Sequence, residues 1–247
     1  MSEQSLGDRM KDNYEKRTRT MLPRRTNTII RLDGKAFHTF TKGFTRPYDS
    51  RLMDIMDHTA YALCQQIQGA KMAYVQSDEI SILLTDYDNI KTEAWFNGNV
   101  QKITSISAAI ATAEFNRYLA EIAPFQVGPN PALFDSRVFT IADPQEVVNY
   151  FIWRQQDWTR NSIQMLGQAH FSHKQLHGVN CNEMQEKLIR EKDVNWNDYS
   201  IAIRRGRAVK SICDLTETDR RQLVLDLEPP IFTQDRDYIL KHMEPGE

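Results

Sequence analysis

The sequence predicts a mixed α/β fold of the α+β class, with a ferredoxin-like βαββαβ unit over residues 1–142 and a helical extension over residues 143–247. Apolar segments up to residue 142 follow the order strand, helix, strand, strand, helix, strand. From residue 143 onwards, apolar residues recur at helical spacing. The chain has 247 residues and is 40% hydrophobic, which is enough for one substantial core.

The first part of this unit contains a strand followed by a helix. Residues 3–21 carry alternating charges and are expected to form an exposed helix. The apolar run 28–32 predicts a buried strand that ends at Asp33. Asp49 or Ser50 is a suitable N-cap for a core-facing helix, whose apolar residues recur at helical spacing: Leu52, Met56, Ala60, Leu63 and Ile67.

The second part is predicted to contain a hairpin, a helix and a last strand. The strand-like runs 73–76 and 80–84 flank an acidic step at 77–79 that has room only for a tight turn. The run 138–141 predicts the last strand. Between them, a helix is expected from about residue 99 to residue 118, with a buried stripe formed by Ile103, Ile106, Ala109, Ile110 and Ala113.

Composition restricts the class of protein. The formal net charge is −2, so a nucleic acid would have to be bound by a local basic face. The chain has three cysteines, an odd number, and they are far apart in sequence: Cys64, Cys181 and Cys213. This pattern favours a reducing, cytoplasmic setting. The polar first 28 residues and the lack of a long apolar run lead us to expect a soluble protein without a membrane partner.

Two carboxylates are expected to form a metal site. If the hairpin pairs with the first strand, Asp33 and Asp78 converge. Converging carboxylates repel each other unless a cation lies between them, and oxygen ligands suit Mg²⁺, which often takes further ligands from nucleotide phosphates. Glu79 is a further catalytic candidate, although the residue after Asp78 on a strand should point to the opposite face unless the turn redirects it.

Cations at two further places suit phosphate contact. The loop 42–47 directly follows the first carboxylate segment and is rich in Lys, Arg and small residues. Residues 199–210 predict a hairpin that carries Arg204, Arg205 and Arg207. The residues after Pro230 are expected to be peripheral.

Aromatic and histidine side chains leave alternatives open. Phe151, Trp153 and Trp158 recur at helical spacing and are predicted to be core residues rather than base-stacking ones. His38 fits base or phosphate contact and loop packing equally well. The spacing of His170, His173 and His177 fits a surface helix better than a zinc site.

Several motifs resemble those of the tRNA-His guanylyltransferase family. They are Arg31-Leu32-Asp33-Gly34-Lys35-Ala36-Phe37-His38, Phe44-Thr45-Arg46-Pro47-Tyr48-Asp49-Ser50-Arg51, Tyr74-Val75-Gln76-Ser77-Asp78-Glu79, Trp95-Phe96, Phe134-Asp135-Ser136-Arg137-Val138 and Trp153-Arg154-Gln155. The resemblance covers at least residues 28–163. It implies a palm domain similar to that of polymerases and nucleotide cyclases, and addition of nucleotides to the 5′ end of tRNA in the 3′-to-5′ direction.

The resemblance also implies site residues and ligands. Two Mg²⁺ ions would be held by Asp33, the Gly34 carbonyl and Asp78. ATP, GTP and other nucleoside triphosphates would contact Asp33, Gly34, Lys35, Ala36, Phe37, His38, Arg46, Ser77, Asp78 and Lys102. RNA would contact Arg154, Asn161, Arg204, Arg205 and Arg207. A homotetramer that binds one tRNA across subunits is implied as well.

One segment departs from the family pattern. The tRNA-His-specific members carry His-Ile-Asn-Asn-Leu-Tyr-Asn where this chain has Thr159 to Met165, and of these residues only Asn161 is retained. The departure favours the guanylyltransferase-like branch, implied to repair 5′-truncated tRNA by template-dependent addition after ATP-dependent adenylylation of the 5′ end. A tRNA-His-specific guanylyltransferase, a nucleotidyl cyclase and a non-catalytic RNA-binding module remain the alternatives.

Overall fold

The computed structural model describes residues 4–212 and 222–244. In these residues the strands form one six-stranded antiparallel sheet of order β4-β1-β3-β2-β5-β6. The strands are β1 Asn27–Gly34, β2 Ala70–Gln76, β3 Glu79–Leu84, β4 Phe134–Ile141, β5 Arg207–Ile212 and β6 Gln222–Asp226. The helices are α1 Leu6–Met10, α2 Phe37–Phe40, α3 Ser50–Gln66, α4 Val100–Ile122, α5 Pro144–His170, α6 His173–Leu176, α7 Cys181–Lys192, α8 Ile201–Arg205 and α9 Asp237–Leu240.

The predicted order β1, α3, β2, β3, α4, β4 is confirmed, and these strands have the 4-1-3-2 arrangement of a ferredoxin-like sheet. Asp49 caps α3, because its carboxylate accepts the backbone N–H groups of Arg51 and Leu52. After α1, an exposed π-helical segment and a 3₁₀ segment continue the helical path to Thr18. None of the described helices is both long and apolar enough to cross a membrane.

Two apolar cores lie on opposite faces of the sheet because successive strand residues point to opposite sides. Helices α3 and α4 cover the face that carries Ile30, Leu32 and Ile82. Helices α5 and α9 cover the other face, which carries Ile29 and Leu83. A third cluster joins α7 to the end of α5.

The buried face of α4 differs from the predicted one. Ile103 is buried, but Ile106, Ala109 and Ala113 are exposed and Ile110 is half-buried. The core side instead repeats every four residues, with Ile103, Ser107, Ala111, Phe115 and Leu119. The hydroxyl of Ser107 is satisfied there by the hydroxyl of Ser136 on β4 (2.7 Å).

The C-terminal part contains strands as well as helices. The hairpin predicted at residues 199–210 is wrong: Ile201–Arg205 is helix α8, Gly206 turns the chain with φ 79°, and β5 then pairs with β2. The expected division near residue 142 therefore separates segments that share one sheet. The residues after Pro230 are not peripheral either, since Phe232 and Ile239 are fully buried against α5.

Candidate active site

The end of β1 and the β2–β3 turn meet at one edge of the sheet, as the sequence predicts. The Gly34 N–H donates to the Asp78 carbonyl oxygen (3.1 Å), and Asp33 lies directly opposite Glu79 in the strand register. Ser77 forms the turn with φ 45°. Pairing of β1 with β3 therefore brings the predicted carboxylates together.

The first cavity at this edge, the carboxylate cavity, has a volume of about 280 Å³. Its lining includes Asp33, Gln76, Asp78, Asp157 and Asn161. Burial raises the pKa of Asp78, and the neighbouring charge of Asp33 raises that pKa further. Gln76 Oε1 is buried without a hydrogen-bond partner, so the cavity presents several acceptors with few matching donors.

This donor set fits a hydrated Mg²⁺ ion. Two carboxylates and a backbone carbonyl are hard oxygen ligands, and Mg²⁺ usually keeps waters in its remaining positions. Two arginines near Asp33 do not take the place of a metal ion. Arg31 Nη2 and Arg137 Nη2 lie 3.8 Å and 3.9 Å from its carboxylate, which is longer than a hydrogen bond. In the described ranges no three His, Cys, Asp or Glu side chains form a metal cluster, so an ion here would rely on water or phosphate.

Glu79 lies in a buried ion network beside this cavity. Its carboxylate contacts Arg31 Nη2 at 2.5 Å and Arg154 Nε at 3.1 Å, and it accepts a hydrogen bond from Gln76 Nε2 (3.1 Å). Burial raises the pKa of Glu79, whereas Arg154 and Arg31 lower it. These contacts support a role of Glu79 as an ion-pair partner that positions the strand end, and the catalytic role predicted from the sequence stays a prediction.

A second cavity, the loop cavity, lies between residues 37–53 and the C-terminal half of α5 and has a volume of about 400 Å³. That size is within the roughly 300–1,000 Å³ of ligand sites. Ser77 and Asp78 line both cavities, so the two spaces meet at the β2–β3 turn. His38 and Arg46 are exposed and line the loop cavity. Its apolar walls are formed by Phe37, Phe44, Pro47, Leu52, Met53, Trp158 and Met165.

The segment after Gly34 is held by packing. A side chain at Gly34 would overlap the Phe37 ring, which explains the glycine. Ala36 adopts a left-handed conformation with φ 56°, and Phe37 packs between Phe115 and Phe134 at centroid distances of 5.3 Å and 5.1 Å. Lys35 is exposed, and its N–H donates to the Leu133 carbonyl (2.8 Å).

The other wall of the loop cavity is fixed by residues 45–49. The carboxylate of Asp49 accepts the Thr45 N–H (2.8 Å), and Tyr48 Oη donates to the Ser162 carbonyl on α5 (2.7 Å). Burial opposes ionisation of Asp49, but hydrogen bonds from Arg51, Thr45 and Leu52 lower its pKa overall. Asp49 therefore stays charged and holds the loop against α3.

Lys102 is exposed and does not line either cavity. It lies in the first turn of α4, where Ile103 shares a small cavity with Thr28 and Leu84. Thr28 precedes Asp33 by five residues on β1, a distance of about 17 Å along the strand. The predicted contact of Lys102 with the triphosphate stays a prediction.

Two of the five predicted RNA-binding residues are buried. Arg154 is 2% exposed and pairs with Glu79 and Asp157, and Arg207 is 1% exposed and pairs with Asp57. Both arginines satisfy carboxylates inside the protein and are not free for an RNA backbone.

The other three predicted RNA-binding residues are more accessible. Arg204 and Arg205 line a surface groove of about 400 Å³ beside Trp196, and the guanidinium of Arg204 lies 5.7 Å from that ring. Asn161 lines the carboxylate cavity.

The aromatic predictions hold for two residues of three. Phe151 and Trp158 are buried, but Trp153 is 51% exposed and its ring stacks on the Arg154 guanidinium at 4.0 Å. Sequence reasoning missed Gln76, Arg31, Asp157 and Trp158 as lining or supporting residues of the site. For Gln76 the signal was available, since it is the polar end of an otherwise apolar strand.

A ferredoxin-like antiparallel sheet that holds two carboxylates beside a nucleotide-sized cavity defines the palm of a nucleotidyltransferase. The particular family is shown by a family model. The model described as "Thg1: tRNAHis guanylyltransferase" matches residues 7–142, more than half of the chain. The chain therefore belongs to the tRNA-His guanylyltransferase family and is an enzyme of the nucleotidyltransferase class.

Solved structures and relatives agree with this assignment. The chain is similar to a bacterial tRNA(His) guanylyltransferase-like protein in complex with ATP, with 45% identity, a TM-score of 0.88 and coverage of 97% of this chain and 99% of that one. A bacterial structure of the same description in complex with GTP has 40% identity, a TM-score of 0.80 and coverage of 97% and 99%. The probable tRNA(His) guanylyltransferase of Mus musculus is 28% identical over 190 residues, which are 72% of this chain and 62% of that protein. The chain thus spans less than two thirds of the mouse relative.

Proposed function

We propose that this protein adds nucleotides in the 3′-to-5′ direction to the 5′ end of truncated tRNA, in a reaction directed by the opposing template base. The observation that carries the proposal is the meeting of the two cavities at Asp78. One cavity has the apolar walls that a base requires, and the other has the carboxylates that nucleotidyl transfer requires. The ATP and GTP complexes of the similar bacterial proteins support a nucleotide as the occupant.

The reaction would have two displacement steps. First, an oxygen of the RNA 5′-monophosphate attacks the α-phosphorus of ATP, and pyrophosphate leaves. Then the 3′-hydroxyl oxygen of an incoming nucleoside triphosphate attacks the 5′-phosphorus of the RNA, and AMP leaves. Both steps need positioning and charge neutralisation more than covalent participation of the protein.

The residues of the chain would divide this work. Asp33, the Gly34 carbonyl and Asp78 would hold two Mg²⁺ ions, which when bound neutralise phosphate charge and lower the pKa of an attacking hydroxyl. His38 and Arg46, exposed at the loop cavity, would contact the triphosphate, together with backbone N–H groups of Ala36 and Ser77 and the exposed side chain of Lys35. Phe37 would contribute indirectly, because its packing against Phe115 and Phe134 holds the segment after Gly34 in place.

The RNA would be bound by surface groups around the two cavities. Arg204 and Arg205 flank a groove next to α5, and Asn161 reaches the carboxylate cavity. Cations at these positions suit phosphate contact. Assembly into a homotetramer would combine such patches from several subunits around one tRNA, and the exposed apolar side chains of α4, including Ile106, are compatible with this assembly.

The tRNA-His-specific activity is a second candidate, which the family model and the mouse relative's name favour. Against it, the Thr159 to Met165 segment lacks the His-Ile-Asn-Asn-Leu-Tyr-Asn pattern.

The proposal is tested by incubating the protein with labelled 5′-truncated tRNA, Mg²⁺, ATP and the other nucleoside triphosphates. Each triphosphate is then omitted in turn. We expect extension only when ATP and the nucleotide complementary to the template base are both present. Extension that proceeds without added nucleoside triphosphates would overturn the proposal. A failure to extend any truncated tRNA would overturn it as well. Asp33→Ala is the matched inactive control.

A further inference from the structure

One large aromatic side chain close to Asp33 is exposed. Trp153 lies on α5 and is 51% exposed, although its spacing predicts a core residue. Single exposed apolar side chains are common on protein surfaces, so exposure alone gives Trp153 no role. Its surroundings distinguish it from other exposed aromatic side chains such as Phe125.

The ring of Trp153 has one covered face. The guanidinium of Arg154 lies over this face, 4.0 Å from the ring centroid, and Arg154 is 2% exposed. Glu79 and Asp157 hold Arg154 beneath the ring through ion pairs. A flat ring that rests on a buried group with one face is exposed mainly through the other face, and the half-exposure of Trp153 agrees with this arrangement. The open face is therefore presented to solvent in a fixed orientation.

Two arginines lie between Trp153 and the predicted metal site. Arg31 Cζ is 5.9 Å from the Trp153 ring, and Arg31 Nη2 is 3.8 Å from Asp33. Arg137 is directly opposite Arg31 in the β1–β4 register, so both side chains lie on the face of the sheet that α5 covers. The side chain of Arg137 is 56% exposed, and its Nη2 is 3.9 Å from Asp33 and 3.5 Å from Asp135. An open aromatic face and an exposed cation are thus both neighbours of Arg31.

This combination suits an unpaired RNA base. Aromatic rings stack on bases of any sequence, and neighbouring cations contact the phosphates. In an RNA duplex each base is covered on both faces by its neighbours, so a single protein ring has access mainly to bases outside the duplex. A 5′-truncated tRNA has such bases in the strand opposite the missing nucleotides.

We propose that Trp153 stacks on an unpaired base of the template strand, next to the RNA 5′ end that reacts beside Asp33. The stacked base anchors the template strand, so that the neighbouring template base is held at the reaction site. Arg137 contacts a backbone phosphate of the same strand. This inference deepens the proposed function and rests on it for the choice of a truncated tRNA as the substrate.

A purely structural role of Trp153 makes a different prediction. If the ring served only to cover the ion pair of Arg154 with Glu79, its replacement would affect the binding of every RNA to the same degree. Stacking concerns only an RNA that has an unpaired template base. The quantity to measure is therefore the ratio of the affinities for two RNAs that differ in this feature.

The experiment is equilibrium binding of two RNAs to the full chain without ATP. The first RNA is a 5′-truncated tRNA, and the second is the same RNA with its template strand shortened to give a blunt end. For Trp153→Leu we expect about tenfold weaker binding of the first RNA, as the loss of one base stack gives, and unchanged binding of the second. Trp153→Phe keeps an aromatic ring and should lose less than about threefold. Phe125→Leu removes an exposed ring elsewhere and is the matched control, which should bind both RNAs like wild type.

Equal weakening of both RNAs by Trp153→Leu, or no weakening of either, would overturn the proposal. A double-mutant cycle identifies the stacked base. Each unpaired template nucleotide is replaced in turn by an abasic one, and at one position this loss and that of Trp153→Leu should not add, because both break the same contact. Additive losses at every position would reject the stack.

The abasic series on the wild-type protein keeps the proposal falsifiable if Trp153→Leu does not fold. Binding that is indifferent to the loss of every unpaired base would exclude a stacked base. Because no ATP is present, these affinities do not depend on nucleotide addition. A protein that shows the expected affinities but extends no RNA would contradict the proposed function alone, so the two proposals fail separately.

Discussion

Asp78 and Glu79 are adjacent in the chain, yet their neutral variants should behave in opposite ways. Glu79→Gln removes the charge that faces Arg31 at 2.5 Å and Arg154 at 3.1 Å, at a side chain that is 9% exposed. Breaking a buried ion pair costs about 3–5 kcal/mol. We expect the lower end, about 3 kcal/mol, because Arg154 keeps Asp157 as a second partner and because the amide relieves the burial that raises the pKa of Glu79 overall; the unpaired charge of Arg31 outweighs that relief. For a domain of this size that loss lowers Tm by roughly 6–12 °C.

Asp78→Asn should leave the metal-free protein as stable as wild type, or more stable. Burial and the charge of Asp33 raise the pKa of Asp78 in the folded state above the ordinary value of 3.8. The folded state therefore binds more protons than the unfolded state between these two pKa values, and the free energy of unfolding falls as the pH rises through that interval. At neutral pH the ionised Asp78 destabilises the fold, and the amide removes this penalty. The same variant should lose Mg²⁺-dependent nucleotide binding.

Thermal unfolding of the three proteins, with and without Mg²⁺ and ATP, is the assay. We expect ligand stabilisation of wild type and Glu79→Gln, and none for Asp78→Asn. The reasoning is refuted if Glu79→Gln melts like wild type and loses its response to Mg²⁺, because Glu79 would then be a metal ligand. It is equally refuted if Asp78→Asn melts well below wild type.

Three further outcomes are expected. Mg²⁺-dependent nucleotide binding should decline on acidification at a higher pH than an ordinary aspartate would give, since Asp78 has a raised pKa and must be ionised; titration of binding against pH checks this. Alanine at both Arg204 and Arg205 should weaken RNA binding and reduce the slope of log affinity against log salt by about one to two, and an unchanged slope would place the RNA elsewhere. Phe115→Ala should cost about 3–5 kcal/mol in urea unfolding, because the ring is fully buried against Phe37; a loss below 1 kcal/mol would contradict this packing.

The carboxylate edge could be predicted from the sequence because the turn is local and both strands are visible as apolar runs that can pair. A hairpin with a two-residue turn puts Asp78 at the tip, and pairing of β1 with β3 places Asp33 beside it. The N-cap Asp49 is equally local. The turn and the cap depend on short stretches of chain, and the β1–β3 pairing joins two apolar runs that are each visible in the sequence.

The misjudged residues depend on distant partners. The arginines at 204–207 look alike in sequence, but Arg207 is buried because Asp57, 150 residues earlier, lies beneath it. Helix α4 could turn either of two mildly apolar faces inward, and the packing of Phe115 into the aromatic cluster around Phe37 selects one of them. Tertiary contacts decide which of these residues are buried, and the hydrophobic periodicity of the sequence does not reveal those contacts.

The most direct test of the proposed function is a set of truncated tRNAs that differ in anticodon and in the template base opposite the missing 5′ nucleotide. If the reaction is directed by pairing, the added nucleotide should change with the template base and be indifferent to the anticodon. Asp33→Ala should add nothing to any of these substrates. Addition of G whatever base stands opposite, or addition that follows the tRNA-His anticodon, would contradict the repair function and restore tRNA-His specificity.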